Sequence, residues 1–173
     1  MIYLDRDGTI NEDFGYVSRI DQWRFLEGAV EALGLLRDQG YALAIATNQS
    51  GISRGMFSDS NVWQLHDFMR QELEKSGIAI DAIAICPHGT DDGCSCRKPA
   101  TGLADVIQQT SDFTIDIPNS WMIGDKPSDI GFGRAIGVKT GLLTSSYWTT
   151  DECPAADLYA ESLLEAARII CQP

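Results

Sequence analysis

The sequence predicts an α/β fold, a Rossmann-like doubly wound parallel sheet with helices on both faces. Two observations predict it. Apolar runs of strand length alternate with amphipathic stretches of helix length from one end to the other, the rhythm of a parallel sheet covered on both sides. Polar residues capable of chemistry also stand where three of those runs end, and such sheets collect their ligands outside the carboxyl ends of the strands. The elements follow in order. MIYL at 1–4 is a short apolar strand running into charge. Residues 27–40 set Ala29, Val30, Leu33 and Leu36 at helical spacing and close on Gly40, a helix stop. YALAIAT at 41–47 reads as a buried strand. Residues 58–76 begin with the cap candidates Ser58 and Asp59, then place Val62, Leu65, Phe68, Met69 and Leu73 on one helical face. AIAIC at 82–86 is a strand, 101–111 a shorter helix, and WMIGD at 121–125 a strand ending in an acid. A glycine-spotted helix at 128–137, a strand at 139–143 that closes the series and a terminal helix at 160–170 complete the pattern.

The 173 residues suit one domain, 1–173, since no repeat, low-complexity tract or linker divides them. Hydrophobic residues make up 44% and charged residues 22%, as in a soluble globular protein. The net charge of −12 argues against general nucleic-acid binding, which needs Lys and Arg to displace phosphate counterions. A local cluster of cations still leaves room for a small anionic substrate. No apolar run reaches the roughly 18–20 residues of a membrane span. The first residues carry neither the basic flank nor the cleavage site of a signal peptide. A cytoplasmic monomer without membrane or nucleic-acid partners is expected.

Four segments carry candidate chemistry. DRDGT at 5–9 sets Asp5 and Asp7 directly after a strand, where one acid can attack as a nucleophile while the other handles a proton; a solvated strand-end turn would look the same. In ATNQSG at 46–51, Thr47 and Asn48 offer a hydroxyl and an amide, and the N–H groups of Gln49 and Ser50 can point at an anion, although such loops also merely close βα turns. CRKP at 96–99 supplies the adjacent cations Arg97 and Lys98, which suit phosphate or solvent alike. GDKPSD at 124–129 places Asp125 and Asp129 about Lys126, hard oxygens of the kind Mg²⁺ takes, with helix capping by Asp129 as a second use.

Three of the five cysteines crowd together with one of the two histidines as Cys86-x-His88-x5-Cys94-x-Cys96. Without an export signal this reads as a metal site in a reducing compartment, and soft thiolates with an imidazole, four in number, suit a structural Zn²⁺ with no open position. The loop holds little apolar material, so zinc would fold it and aim the following Arg97 and Lys98. Cys153 and Cys171 read as ordinary thiols. His66, beside Leu65 and Phe68, reads as a packing or surface residue.

The order and placement of these motifs resemble the haloacid dehalogenase superfamily of phosphotransferases, over about residues 1–145. DRDGTINEDFGYV at 5–17, TNQSGISRGMF at 47–57, CPHGTDDGCSCRKP at 86–99 and GDKPSD are similar, more closely, to the heptose-bisphosphate 7-phosphatases. The resemblance implies a phosphorylated sugar substrate, with Asp5 attacking its phosphorus to form an aspartyl-phosphate and Asp7 acting as acid and then base. It implies Mg²⁺ held by the Asp5 carboxylate, the Asp7 main-chain carbonyl and Asp125. Asn48 and Lys98 would stabilise the transferring group, and Arg97 would recognise substrate. Asp13 and Tyr16 would line the pocket together with Thr47, Gln49 and Ser50, and Lys126 would orient Asp125 or meet phosphate. About 40 residues separate Asp7 from Thr47 and about 50 separate Thr47 from Lys98, each interval filled by a helix, strand and loop, so the site should be capless. The short His88–Cys94 spacing is shared with zinc-bearing histidinol-phosphate phosphatases, the alternative substrate class. A non-catalytic, zinc-stabilised phosphate-binding module is the third possibility.

Overall fold

The computed structural model describes residues 1–172. Six parallel strands form one sheet in the order β3-β2-β1-β4-β5-β6. They are β1 (Ile2–Leu4), β2 (Leu43–Asn48), β3 (Ala82–Cys86), β4 (Trp121–Gly124), β5 (Lys139–Leu143) and β6 (Leu158–Ala160). The helices are α1 (Ala29–Asp38), α2 (Asp59–Glu74), α3 (Gly102–Thr110), α4 (Pro127–Ile136) and α5 (Leu163–Ile170). Side chains alternate along a strand, so one strand feeds two cores. Ile2 and Leu4 join Leu33, Leu65 and Ala166 of α1, α2 and α5 on one face, whereas Tyr3 joins Leu103 of α3 and Phe132 of α4 on the other. Both faces of β1 are therefore dry, and its run is apolar throughout.

The alternation expected from sequence is present, and so is the doubly wound architecture. One element differs: β5 does not close the sheet, because β6 pairs with it in parallel, Leu142 against Tyr159. Three residues are too few to show a period in sequence. The terminal helix accordingly starts later than 160, at Leu163, where the Ser162 hydroxyl accepts from the Glu165 N–H. Helix α1 is likewise shorter than 27–40, because Gly28 sits in the left-handed region at φ 73° ahead of it.

From β1 the chain winds outward through β2 and β3, then returns to β4 on the other side of β1 and winds outward again. The order reverses between β1 and β4, whose Leu4 and Ile123 lie in register. A crevice opens at such a reversal, and the residues that follow these two strands are Asp5 and Asp125.

Candidate active site

Asp5 leaves β1 with its N–H still donating to Ile123 O (3.0 Å), so the sheet fixes its direction. Gly8 then turns the chain at φ +85°, and a Cβ there would strike the Asp125 carboxylate. Asp5 and Asp7 border a cavity of about 460 Å³ that Asp13, Tyr16, Asn48, Gln49, Ser50, Arg97, Lys98 and Lys126 also line. The four segments singled out in the sequence thus converge, and among the described residues no cap domain covers them.

The charges interlock. Lys98 Nζ lies 2.9 Å from Asp5 Oδ1 and 2.7 Å from Asp129 Oδ1, with all three side chains buried. Lys126 Nζ lies 3.3 Å from Asp5 Oδ2, 3.3 Å from Asp125 Oδ1 and 3.4 Å from Asp13 Oδ2, and it donates to the Asp7 carbonyl at 2.8 Å. Burial alone would push Asp5 up, but Lys98 and Lys126 outweigh it and hold the carboxylate below its ordinary range. Burial likewise works against the Lys98 ammonium, and Asp129 and Asp5 overcome it. Asp5 is therefore held as a carboxylate at neutral pH. Burial pushes Asp125 up to about 7 against the pull of Lys126.

The oxygens assigned to Mg²⁺ can be tested against this geometry. Carboxylate oxygens of Asp5, Asp125 and Asp129 lie within 4.8 Å of one another. The Asp5 carboxylate, the Asp7 carbonyl and Asp125 surround one positive charge, Lys126 Nζ. Asp125 Oδ1 is buried, and among the described residues only the Lys126 ammonium, 3.3 Å away, compensates it. Hard oxygens around a carboxylate that burial disfavours fit a divalent cation.

Asp7 is held differently. Its carboxylate accepts from Arg6, from Asn11 Nδ2 at 2.9 Å and from Gln49 Nε2 at 2.8 Å. Asn48 pairs with the main chain of Lys98, accepting from its N–H at 3.0 Å and donating to its carbonyl at 3.2 Å, so it fixes the lysine as well as facing the cavity. Thr47 is withdrawn: it is buried, accepts from Gln49 Nε2 at 2.9 Å and is not among the lining residues. Its position at the strand end was legible, but the alternation along β2 that turns it aside carries Asn48 to the mouth.

Other contributors were not legible. Trp148 lines the cavity, and Ser145 Oγ donates to Asp125 Oδ2 at 3.1 Å. Both come from the segment after β5, where no motif marks them. Asp129, weighed from sequence as a cap, does cap α4 by accepting from the Lys126 N–H at 3.0 Å, and its other oxygen meets Lys98. Gly124 serves the same packing, since a Cβ there would strike the Asp129 carboxylate.

The cysteine cluster assembles beside this cavity. A tetrahedron with metal–sulfur bonds of about 2.3 Å has edges near 3.8 Å. The Cys86 sulfur lies 3.7 Å from that of Cys94 and 3.2 Å from that of Cys96, and the Cys94 and Cys96 sulfurs are 3.6 Å apart. His88 Nδ1 lies 3.7 Å from the first and 3.3 Å from the third. All are free thiols, so the cluster could hold a metal ion. Burial pushes the Cys86 thiol up to about 12, and a metal would have to displace that proton. Arg97 Nη1 donates to His88 O at 3.1 Å, tying the cluster directly to the lysine and arginine that follow it.

A family model described as polynucleotide kinase 3 phosphatase matches residues 1–152. The D-glycero-beta-D-manno-heptose-1,7-bisphosphate 7-phosphatase of Pasteurella multocida is 40% identical, over 98% of this chain and 95% of its own. The enzyme of the same name from Haemophilus ducreyi is 41% identical, over 95% and 94%. The chain belongs to this phosphatase family, within the haloacid dehalogenase superfamily. Among solved structures, the D,D-heptose 1,7-bisphosphate phosphatase from B. bronchiseptica, complexed with magnesium and phosphate, superposes with a TM-score of 0.88 at 33% identity. That match covers 98% of this chain and 96% of the other.

Proposed function

We propose that this phosphatase removes the C7 phosphate of D-glycero-D-manno-heptose 1,7-bisphosphate, in the synthesis of nucleotide-activated heptose. The observation that carries the proposal is Asp5, ionised between Lys98 and Lys126 at the floor of the cavity. A carboxylate held so can attack phosphorus in line: a bond forms from Asp5 oxygen to phosphorus as the bond to the sugar oxygen breaks. Asp7 gives its proton to the departing alkoxide, then takes one from the water that attacks the aspartyl-phosphate and frees inorganic phosphate. Lys98, placed by Asn48, meets charge on the transferring oxygens, and Arg97 and Lys126 meet the substrate's anionic groups. Asp13, Tyr16, Gln49 and Ser50 form the walls around the sugar.

Asp5, the Asp7 carbonyl and Asp125 would hold Mg²⁺, which when bound offsets repulsion between an anionic nucleophile and an anionic phosphate. Cys86, His88, Cys94 and Cys96 would hold a structural Zn²⁺, with no position left for water. We read the chain as a single-domain enzyme that works as a monomer.

The test is parallel turnover of heptose bisphosphate and histidinol phosphate by purified protein with Mg²⁺. A kcat/KM favouring the heptose ester by about 10²-fold or more is expected, the preference of a site built for a substrate's hydroxyls. A preference for histidinol phosphate would overturn the substrate. Absence of both phosphate release and BeF₃⁻ binding would leave only a phosphate-binding module.

A further inference from the structure

Arg6 stands between the nucleophile and the acid, and the chemistry above gives it no part. Its side chain is wholly buried. Nε and Nη2 donate to Asp7 Oδ1 at 3.1 and 2.8 Å, and Nη2 also reaches Asp7 Oδ2 at 2.8 Å and Val17 O at 2.5 Å. The remaining nitrogen, Nη1, lies 3.3 Å from Nε2 of His66, on α2 and sixty positions away in the chain. A guanidinium has donors only, so Nε2 must be the acceptor and the ring must be neutral with its proton on Nδ1. That Nδ1 is buried without a partner among the described residues. Trp63 packs edge-on against the ring, with centroids 5.7 Å apart. An imidazole with an orphaned N–H is a poor filler for a core that already holds Leu65 and Met69. What it offers that an apolar residue does not is a lone pair aimed at Arg6.

We propose that His66 is a positioning residue for Asp7, acting through Arg6: by accepting from Nη1 it fixes the guanidinium plane that presents Nε and Nη2 to the acid–base carboxylate. The inference rests on Asp7 being that acid and base. Burial, then Arg6 and Arg70, push His66 down to about 3, so it keeps its lone pair at any pH at which the protein would work. Without the acceptor, Nη1 becomes a buried unpaired donor. The guanidinium then turns toward other acceptors and carries Asp7 with it.

The experiment compares two leaving groups in the full-length protein. A sugar phosphate leaves as an alkoxide and needs the proton of Asp7; p-nitrophenyl phosphate leaves as a stable phenolate and does not. His66→Leu should lose about 10–100-fold in kcat on the sugar phosphate with KM nearly unchanged, within the span that a positioned acid provides. On p-nitrophenyl phosphate it should release a rapid stoichiometric burst of nitrophenolate followed by slow turnover, because water attack also needs Asp7. His66→Gln, whose amide oxygen restores an acceptor, should recover most of the sugar-phosphate activity. His66→Met, a softer filler, is read in the same way should the leucine variant fold poorly. Equal losses on both substrates without a burst, an unchanged kcat, or a glutamine variant no better than leucine at native Tm would each overturn the proposal. Asp7→Asn separates the two levels. If it does not distinguish the substrates, the acid–base reading fails; if it does and the His66 variants do not, only the positioning role fails.

Discussion

Replacing Lys98 by Met keeps most of the volume and removes the positive charge that lies between Asp5 and Asp129. The ammonium separates two carboxylates, 2.9 Å from Asp5 and 2.7 Å from Asp129, and the three side chains are 1%, 6% and 0% exposed. Removing one partner of a buried ion pair leaves an uncompensated charge and costs about 3–5 kcal/mol. Lys126 also reaches Asp5, at 3.3 Å, but its side chain is 27% exposed and it forms no ion pair with Asp129. The lower end of the range, roughly 3 kcal/mol, is therefore expected. For a domain of this size that is a fall in Tm of about 6–12 °C. Turnover should fall further than stability, by about 10²–10³-fold, if Lys98 also meets charge that develops on the phosphoryl group, as proposed above. Thermal unfolding and phosphate release on the same preparation measure both. Asp129→Asn, added to the variant, should return part of the lost stability, since one of the two stranded charges is gone. A variant as stable as the parent, or active to within threefold, would refute the placement of Lys98 between the two acids.

Three further predictions test separate parts. His66 is neutral when folded and titrates near 6.5 when unfolded, so its contribution to stability is complete above that pH and is lost as pH falls toward about 3. The parent should accordingly lose about 1.4 kcal/mol per pH unit relative to His66→Gln between roughly pH 6 and 4, and parallel stability curves would contradict the depressed value. Cys94→Ser should lower bound zinc and Tm together, as measured by elemental analysis and unfolding, whereas unchanged metal stoichiometry would dismiss the four-ligand site. Ser145→Ala removes the hydrogen bond to Asp125 Oδ2 and should raise the Mg²⁺ concentration needed for half-maximal turnover about threefold to tenfold, the effect of losing one modest hydrogen bond. An unchanged Mg²⁺ requirement would make Ser145 a loop contact only.

What was legible in the sequence is what depends on short-range order. The strands that flank the crevice are followed at once by Asp5 and Asp125, and the ligand rule for parallel sheets then locates the site without any side-chain coordinates. The Cys86–Cys96 cluster was legible because its four side chains fall within eleven consecutive residues, so spacing alone implies proximity. The partnership of Arg6 with His66 was not, since it joins residues sixty apart whose helical neighbours suggest packing, and only the docking of α2 brings the imidazole to the guanidinium. Ser145 and Trp148 escaped for a related reason. They reach the site because β5 delivers the chain beside Asp125 and the following segment crosses the cavity before β6, a strand too short to announce itself. Thr47 and Asn48 show the remaining ambiguity: alternate residues of one strand face opposite ways, so both could be assigned to the strand end while only one meets the cavity.

The covalent phosphate proposed on Asp5 can be caught directly. Protein turning over substrate with Mg²⁺ is quenched in acid, treated with borohydride, digested and read by mass spectrometry. An acyl phosphate at Asp5 is reduced to homoserine, so the predicted result is homoserine at position 5, absent without substrate and absent in Asp5→Asn. Steady phosphate release with Asp5 unmodified at every quench time, or full activity in Asp5→Asn, would contradict the account.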